Sequence, residues 1–190
     1  MKRTVVLATA MLALATSVSL SALPPGQVDF GTFSPPGSGA EFVEVNLTKT
    51  LISFAARLVE KEEPDVAQLL NGLELVRVTV IGLDDENRAG LEKQMQTIRK
   101  ELDAKGWERI VTAKKQDQDV GVFLKTRGKD AVQGLAVVVM EGNRQAVFVN
   151  IVGDIKPDQL SLLGDKLHLD PLKKVGRATE KSDSEPKLTK

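Results

Sequence analysis

The chain has 190 residues, 42% of them hydrophobic, with 26 basic side chains against 26 acidic ones. That length suits one domain with tails, and that hydrophobic content is too high for a disordered chain. A formal charge of zero gives no electrostatic footing for nucleic acid or an anionic membrane. The absence of cysteine excludes disulfides, thiol catalysis, thiolate metal sites and lipid attachment through an N-terminal cysteine.

Residues 1–21 fall into three zones. Lys2 and Arg3 are basic, Thr4 to Val18 is apolar and uncharged, and Ser19-Leu20-Ser21-Ala22 is made mainly of small residues. This is the layout of a cleavable signal peptide, cut after Ser21 or Ala22, and it is short for a permanent anchor. The expected location is therefore periplasmic or secreted, with the mature chain released as a free soluble domain.

Residues 22–44 form a Pro/Gly-rich lead-in. Pro24-Pro25-Gly26 and Ser34-Pro35-Pro36-Gly37-Ser38-Gly39 are turn chemistry, and Phe30 and Phe33 stand between them. These two phenylalanines either dock on the domain as a strap or form a partner-binding arm. Docking is the preferred reading, because exposed aromatic pairs seldom stay uncovered.

A single domain is expected over residues 45–172. Leu47, Leu51, Phe54, Ala55, Leu58 and Val59 recur at steps of three and four, which predicts a helix from Asn46, its N-cap. Pro64 opens a second short helix, stopped by Asn71-Gly72. Asn46-Leu47-Thr48 is formally a glycosylation sequon and is discounted, since a three-residue match is common by chance and this one would open a packed helix. Leu75–Ile81 alternates as a strand. Asp84-Asp85 caps a helix whose apolar line is Leu91, Met95, Ile98 and Leu102, with Gly106 at its end.

Four strands follow, at Trp107–Ala113, Val120–Thr126, Gln133–Met140 and Gln145–Val152, joined by short polar links as in a meander. The last two are apolar on both faces and should be central. A short helix is expected over 156–163, stopped by Gly164.

The fold class is then α+β, with a mixed, mainly antiparallel five-stranded sheet and helices packed on one face. A right-handed crossover should join the first two of these strands. The lead-in or a second copy would cover the other face. Residues 173–190 form a polar tail of charge +3, expected to be disordered, against −5 for the domain with its lead-in.

Chemistry is sparse. The single histidine, His168, sits between leucines near the end, and no Gly-x-Ser-x-Gly elbow exists for a Ser-His-Asp triad. Asp117-x-Asp119 puts two carboxylates in one turn but lacks the other ligands of a calcium loop. No phosphate loop is present. No metal or cofactor is expected. Asp154, just past a central strand, is the one carboxylate that would be tested for hydrolysis, and a turn role is preferred for it.

The segments Leu69-Leu70-Asn71-Gly72-Leu73-Glu74, Val76-Arg77-Val78-Thr79-Val80 and, most of all, Asn150-Ile151-Val152-Gly153-Asp154-Ile155 carry a resemblance. Over roughly residues 45–165 the chain resembles an exported bacterial family, domain of unknown function 4252. The resemblance implies a cell-envelope location and no activity. The expected function is a non-enzymatic envelope module that binds a protein partner or an apolar ligand. An accessory or sensor in envelope signalling, or a carboxylate-dependent hydrolase, is the alternative. Phe30, Phe33 and Asp154 are the candidate site residues.

Overall fold

The computed structural model describes residues 23–116, 118–128, 131–156, 159–160 and 162. In chain order the elements are β1 (Phe42–Thr48), α1 (Lys49–Val59), α2 (Pro64–Gly72), β2 (Leu73–Gly82) and α3 (Arg88–Ala104). The meander follows as β3 (Glu108–Lys115), β4 (Gln118–Arg127), β5 (Ala131–Glu141) and β6 (Gln145–Ile155). The sheet has six strands in the order β1-β2-β6-β5-β4-β3, and every neighbouring pair is antiparallel.

Three expectations are corrected. The sheet has six strands rather than five, because residues 42–48 form a strand. Val43, Val45 and Leu47 alternate there with Glu44, Asn46 and Thr48, the period of two that a strand needs. Leu47 also stands four residues before Leu51, so a helical count can begin on it. Asn46 is thus a strand residue and no helix cap, so its sequon lies on β1 and does not open a packed helix.

The sheet is not mixed. β2 and β3 run in the same direction, but the meander returns three strands between them, so no parallel pair forms. Nor do the helices share one face. One core layer joins Val122, Leu135, Val137, Val149 and Ile151 to Ile52 of α1, Leu69 of α2 and Leu160. The opposite layer joins Phe123, Ala136, Val138 and Phe148 to Leu91, Met95, Ile98 and Leu102 of α3, and to Val28 and Phe30 of the lead-in. The strands β5 and β6 are central and buried on both faces, as their unbroken apolar runs require.

The helix ends follow local rules. Pro64 starts α2, where its missing N–H costs nothing. Before α3, Asp84 Oδ1 accepts the N–H of Asn87 at 2.8 Å and that of Glu86 at 3.0 Å. Asn87 Oδ1 accepts the N–H of Asp84 in return. This reciprocal pair satisfies donors that a helix start leaves open. At the far end Gly106 takes a φ of +72°, and Trp107 N–H reaches back to the Leu102 carbonyl.

The lead-in is part of the core. Asn150, only 1% exposed in the middle of β6, accepts the N–H of Val28 at 2.9 Å. It donates to the carbonyls of Gly26 at 3.0 Å and Leu135 at 3.2 Å. Gly26 has a φ of +85°, and a Cβ there would lie 2.1 Å from the Gln133 carbonyl oxygen. The strap can therefore lie flat on β5 only with glycine at this point. The tail from residue 173, together with His168 and Asp117, lies outside the described residues.

Candidate binding surface

β1 forms one edge of the sheet, and α1 follows it directly. Val43, Val45 and Leu47 face the same side as Val80, Val78 and Val76, their partners on β2, and this is the side that α1 covers. The helix turns Ile52 and Ala56 inward. Leu51, Phe54 and Leu58 lie roughly 100–160° round the helix from Ile52, at 100° per residue. They are 53%, 63% and 68% exposed. α2 packs beside α1 and contacts β6, so it leaves this flank bare.

Together Val43, Val45, Leu47, Leu51, Phe54 and Leu58 put six large apolar side chains at one end of the sheet, each more than a third exposed. Scattered apolar residues on a surface are ordinary, whereas these six are grouped on two adjoining elements.

The two sheet edges differ. β3 at the far edge carries Glu108, Arg109, Lys114 and Lys115, and its register shifts between Arg109 and Val111. Charges and a bulge are the usual ways of blunting an edge. β1 has an unbroken register, no proline and no lysine, and Glu44 is its sole charge.

Among the described residues the clefts are either small or open to solvent. Between the lead-in, α3 and Trp107 the space amounts to ≈ 10 Å³, lined by Val28, Ile98 and Leu102 among others. A shallow cleft of ≈ 200 Å³ lies at the end of β6, lined by Pro24, Pro25, Glu74, Arg127, Gln133 and Asp154. Its charges are solvated. Asp154 is 64% exposed and pairs with Arg127 at 3.2 Å.

The candidate residues fall apart in space. Phe30 is buried, with its ring centroid 5.6 Å from that of Phe148, and Phe33 packs on the same ring at 4.6 Å. Both are used in holding the strap. Asp154 lies inside β6 and not in a turn, with its side chain directed to solvent. Asp119 receives both terminal nitrogens of Arg99, at 2.7 and 3.1 Å, and so ties β4 to α3. Among the described residues no group of three or more His, Asp or Glu side chains is placed to hold a metal ion. None of their helices is long and apolar enough to cross a membrane.

Sequence reasoning missed the β1–α1 surface because it assigned Val43 to the lead-in and Leu47 to the helix. It also missed the role of Asn150, although a lone carboxamide inside the apolar run Ala146–Val152 was the signal.

The described residues define an α+β protein built on a six-stranded antiparallel sheet, with helices on both faces and, among those residues, one apolar edge left uncovered. The chain belongs to the family described as Domain of unknown function (DUF4252), whose model matches residues 38–163. No curated protein and no solved structure matches it.

The family match gives the resemblance a physical content. Within Asn150-Ile151-Val152-Gly153-Asp154-Ile155, Asn150 clamps the strap, and Ile151 and Ile155 fill the core. Gly153 lets β6 pass the α2–β2 junction, where a Cβ would lie 2.4 Å from the Gly72 carbonyl oxygen.

Proposed function

We propose that this protein is a non-enzymatic binding module that docks a protein partner on its β1–α1 surface. The observation that carries the reading is the exposure of Leu51, Phe54 and Leu58 beside Val43, Val45 and Leu47. Burying such side chains removes apolar surface from water, a gross gain of about 25 cal/mol per Å² before the costs of association. The small space between the lead-in, α3 and Trp107 supports a surface partner over a ligand enclosed there. The basic, apolar and small-residue zones of residues 1–21 support action in the cell envelope or outside the cell.

A photo-crosslinking residue in place of Phe54 tests the reading in intact cells, with Lys100 on the exposed face of α3 as control. A discrete cross-linked protein species is expected from position 54 and not from position 100. With the probe kept at position 54, the double variant Leu51→Ser, Leu58→Ser should lose that species and keep its fold, since both side chains are exposed. Identical cross-linking from both positions, or none from position 54, overturns the reading.

A further inference from the structure

We propose that the partner on this surface is a second copy of the chain, joined β1 to β1 about a two-fold axis at Val45. The proposal rests on the docking reading above and names its occupant.

The backbone hydrogen bonds decide which groups of β1 are free. Gly82 N–H bonds the Glu41 carbonyl, and Leu83 N–H bonds the Arg144 carbonyl. Even-numbered residues of β2 therefore pair with β1, and odd-numbered ones with β6. It follows that Val43, Val45 and Leu47 turn their N–H and C=O toward β2. Phe42, Glu44, Asn46 and Thr48 turn theirs outward, off the edge of the sheet.

These outward groups can pair with a second copy in a few antiparallel registers. Centring on Glu44 sets two like charges opposite each other, which is destabilising. Centring on Asn46 leaves Phe42 and Val43 beyond the overlap. Centring on Val45 sets Glu44 opposite Asn46 and Phe42 opposite Thr48, for about eight backbone hydrogen bonds. On the apolar side it sets Val45 against its own copy and Val43 against Leu47. Charge, hydrogen bonding and apolar contact thus agree on a single register.

The axis stands perpendicular to the sheet, so both α1 helices lie on the same side of the joined sheet and flank the junction. Leu51, Phe54 and Leu58 would then contribute to the same interface. The contrast between the edges supports this. The charged, bulged edge at β3 is built to refuse a neighbour, while the edge at β1 has an unbroken register and a single charge, Glu44.

The test combines sedimentation of the purified chain with cysteine cross-linking, which is simple in a chain free of cysteine. A dimer is expected at concentrations of about 1–100 µM, the range of a moderate dissociation constant. Val45→Cys should form a disulfide with its copy, since opposed residues at a non-hydrogen-bonded position lie within disulfide reach. Val43→Cys should not, because its copy would stand four residues along the strand, about 13 Å away.

Asn46→Glu should weaken the dimer by about tenfold by facing Glu44, and Glu44→Lys with Asn46→Glu should restore it. Both side chains are exposed, so the rescue reports pairing and not folding. A chain that stays monomeric at about 100 µM overturns the proposal, as does equal cross-linking from positions 43 and 45. If such a monomer still cross-links from position 54 to a different protein, self-pairing falls and the docking reading stands. If it cross-links to nothing, both fall.

Discussion

Asn150 and Val28, separated by 122 residues, meet in a hydrogen bond of 2.9 Å at the centre of the sheet. The carboxamide acts as a clamp, because the same side chain also holds the carbonyl of Gly26. The lead-in thereby becomes a layer of the core, and Val28, Phe30 and Phe33 can close over Phe148 beside α3.

Replacing Asn150 by alanine should therefore destabilise the fold by about 2–4 kcal/mol. Two buried backbone groups of the strap, each worth about 1–3 kcal/mol when left unpaired, lose their partner. Urea denaturation measures the loss. Hydrogen exchange should show the amides near Val28 losing protection before those of β5. Equal protection in the variant and the parent would contradict the clamp.

Gly26→Ala should act on the same contact through the backbone. A Cβ at φ +85° and 2.1 Å from a carbonyl oxygen has no room, and Gln133 belongs to a central strand that cannot give way cheaply. A loss of about 1–3 kcal/mol is expected, the range for a strained backbone position. A thermal midpoint unchanged from the parent would show that the strap does not lie against β5 in solution.

The bidentate pair of Arg99 and Asp119 should contribute modestly. Their side chains are 16% and 25% exposed, so solvent screens the pair only in part. Asp119→Asn should cost about 1 kcal/mol, and the cost should shrink as salt is raised. A loss that salt does not alter would point to packing and not to charge.

Ser38→Ala should raise the pKa of Asp84. The Ser38 hydroxyl donates to its carboxylate at 2.7 Å and is the first cause of a pKa held below the usual value. The Asn87 N–H is the second. A carboxylate lowered in this way stabilises the fold above its unfolded pKa, and that contribution fades as pH falls through the folded value. The variant should therefore lose stability at neutral pH relative to the parent, and the two should converge in acid. Carbon-detected NMR titration of Asp84 follows the shift directly, and an unmoved titration would remove Ser38 as its cause.

Much of the fold was legible because its signals are local. The apolar runs of Leu135–Met140 and Ala146–Val152 marked central strands, and Pro64 and Gly106 marked a helix start and a helix end. Residues 42–48 were misread because alternation over seven residues ran into the helical spacing of α1 at Leu47. Two periods sharing one residue can be told apart only by the strand's partner, which here is β2.

The amino-acid sequence alone determined the class of the fold, the absence of thiol chemistry and the segment boundaries set by proline and glycine. These depend on neighbours along the chain. Tertiary structure alone decided that the strap and α3 share a face, that Asn150 holds the strap, and that β1 stands at a bare edge. Each of these depends on which distant segments meet, and hydrogen-bond register across a sheet has no local signature.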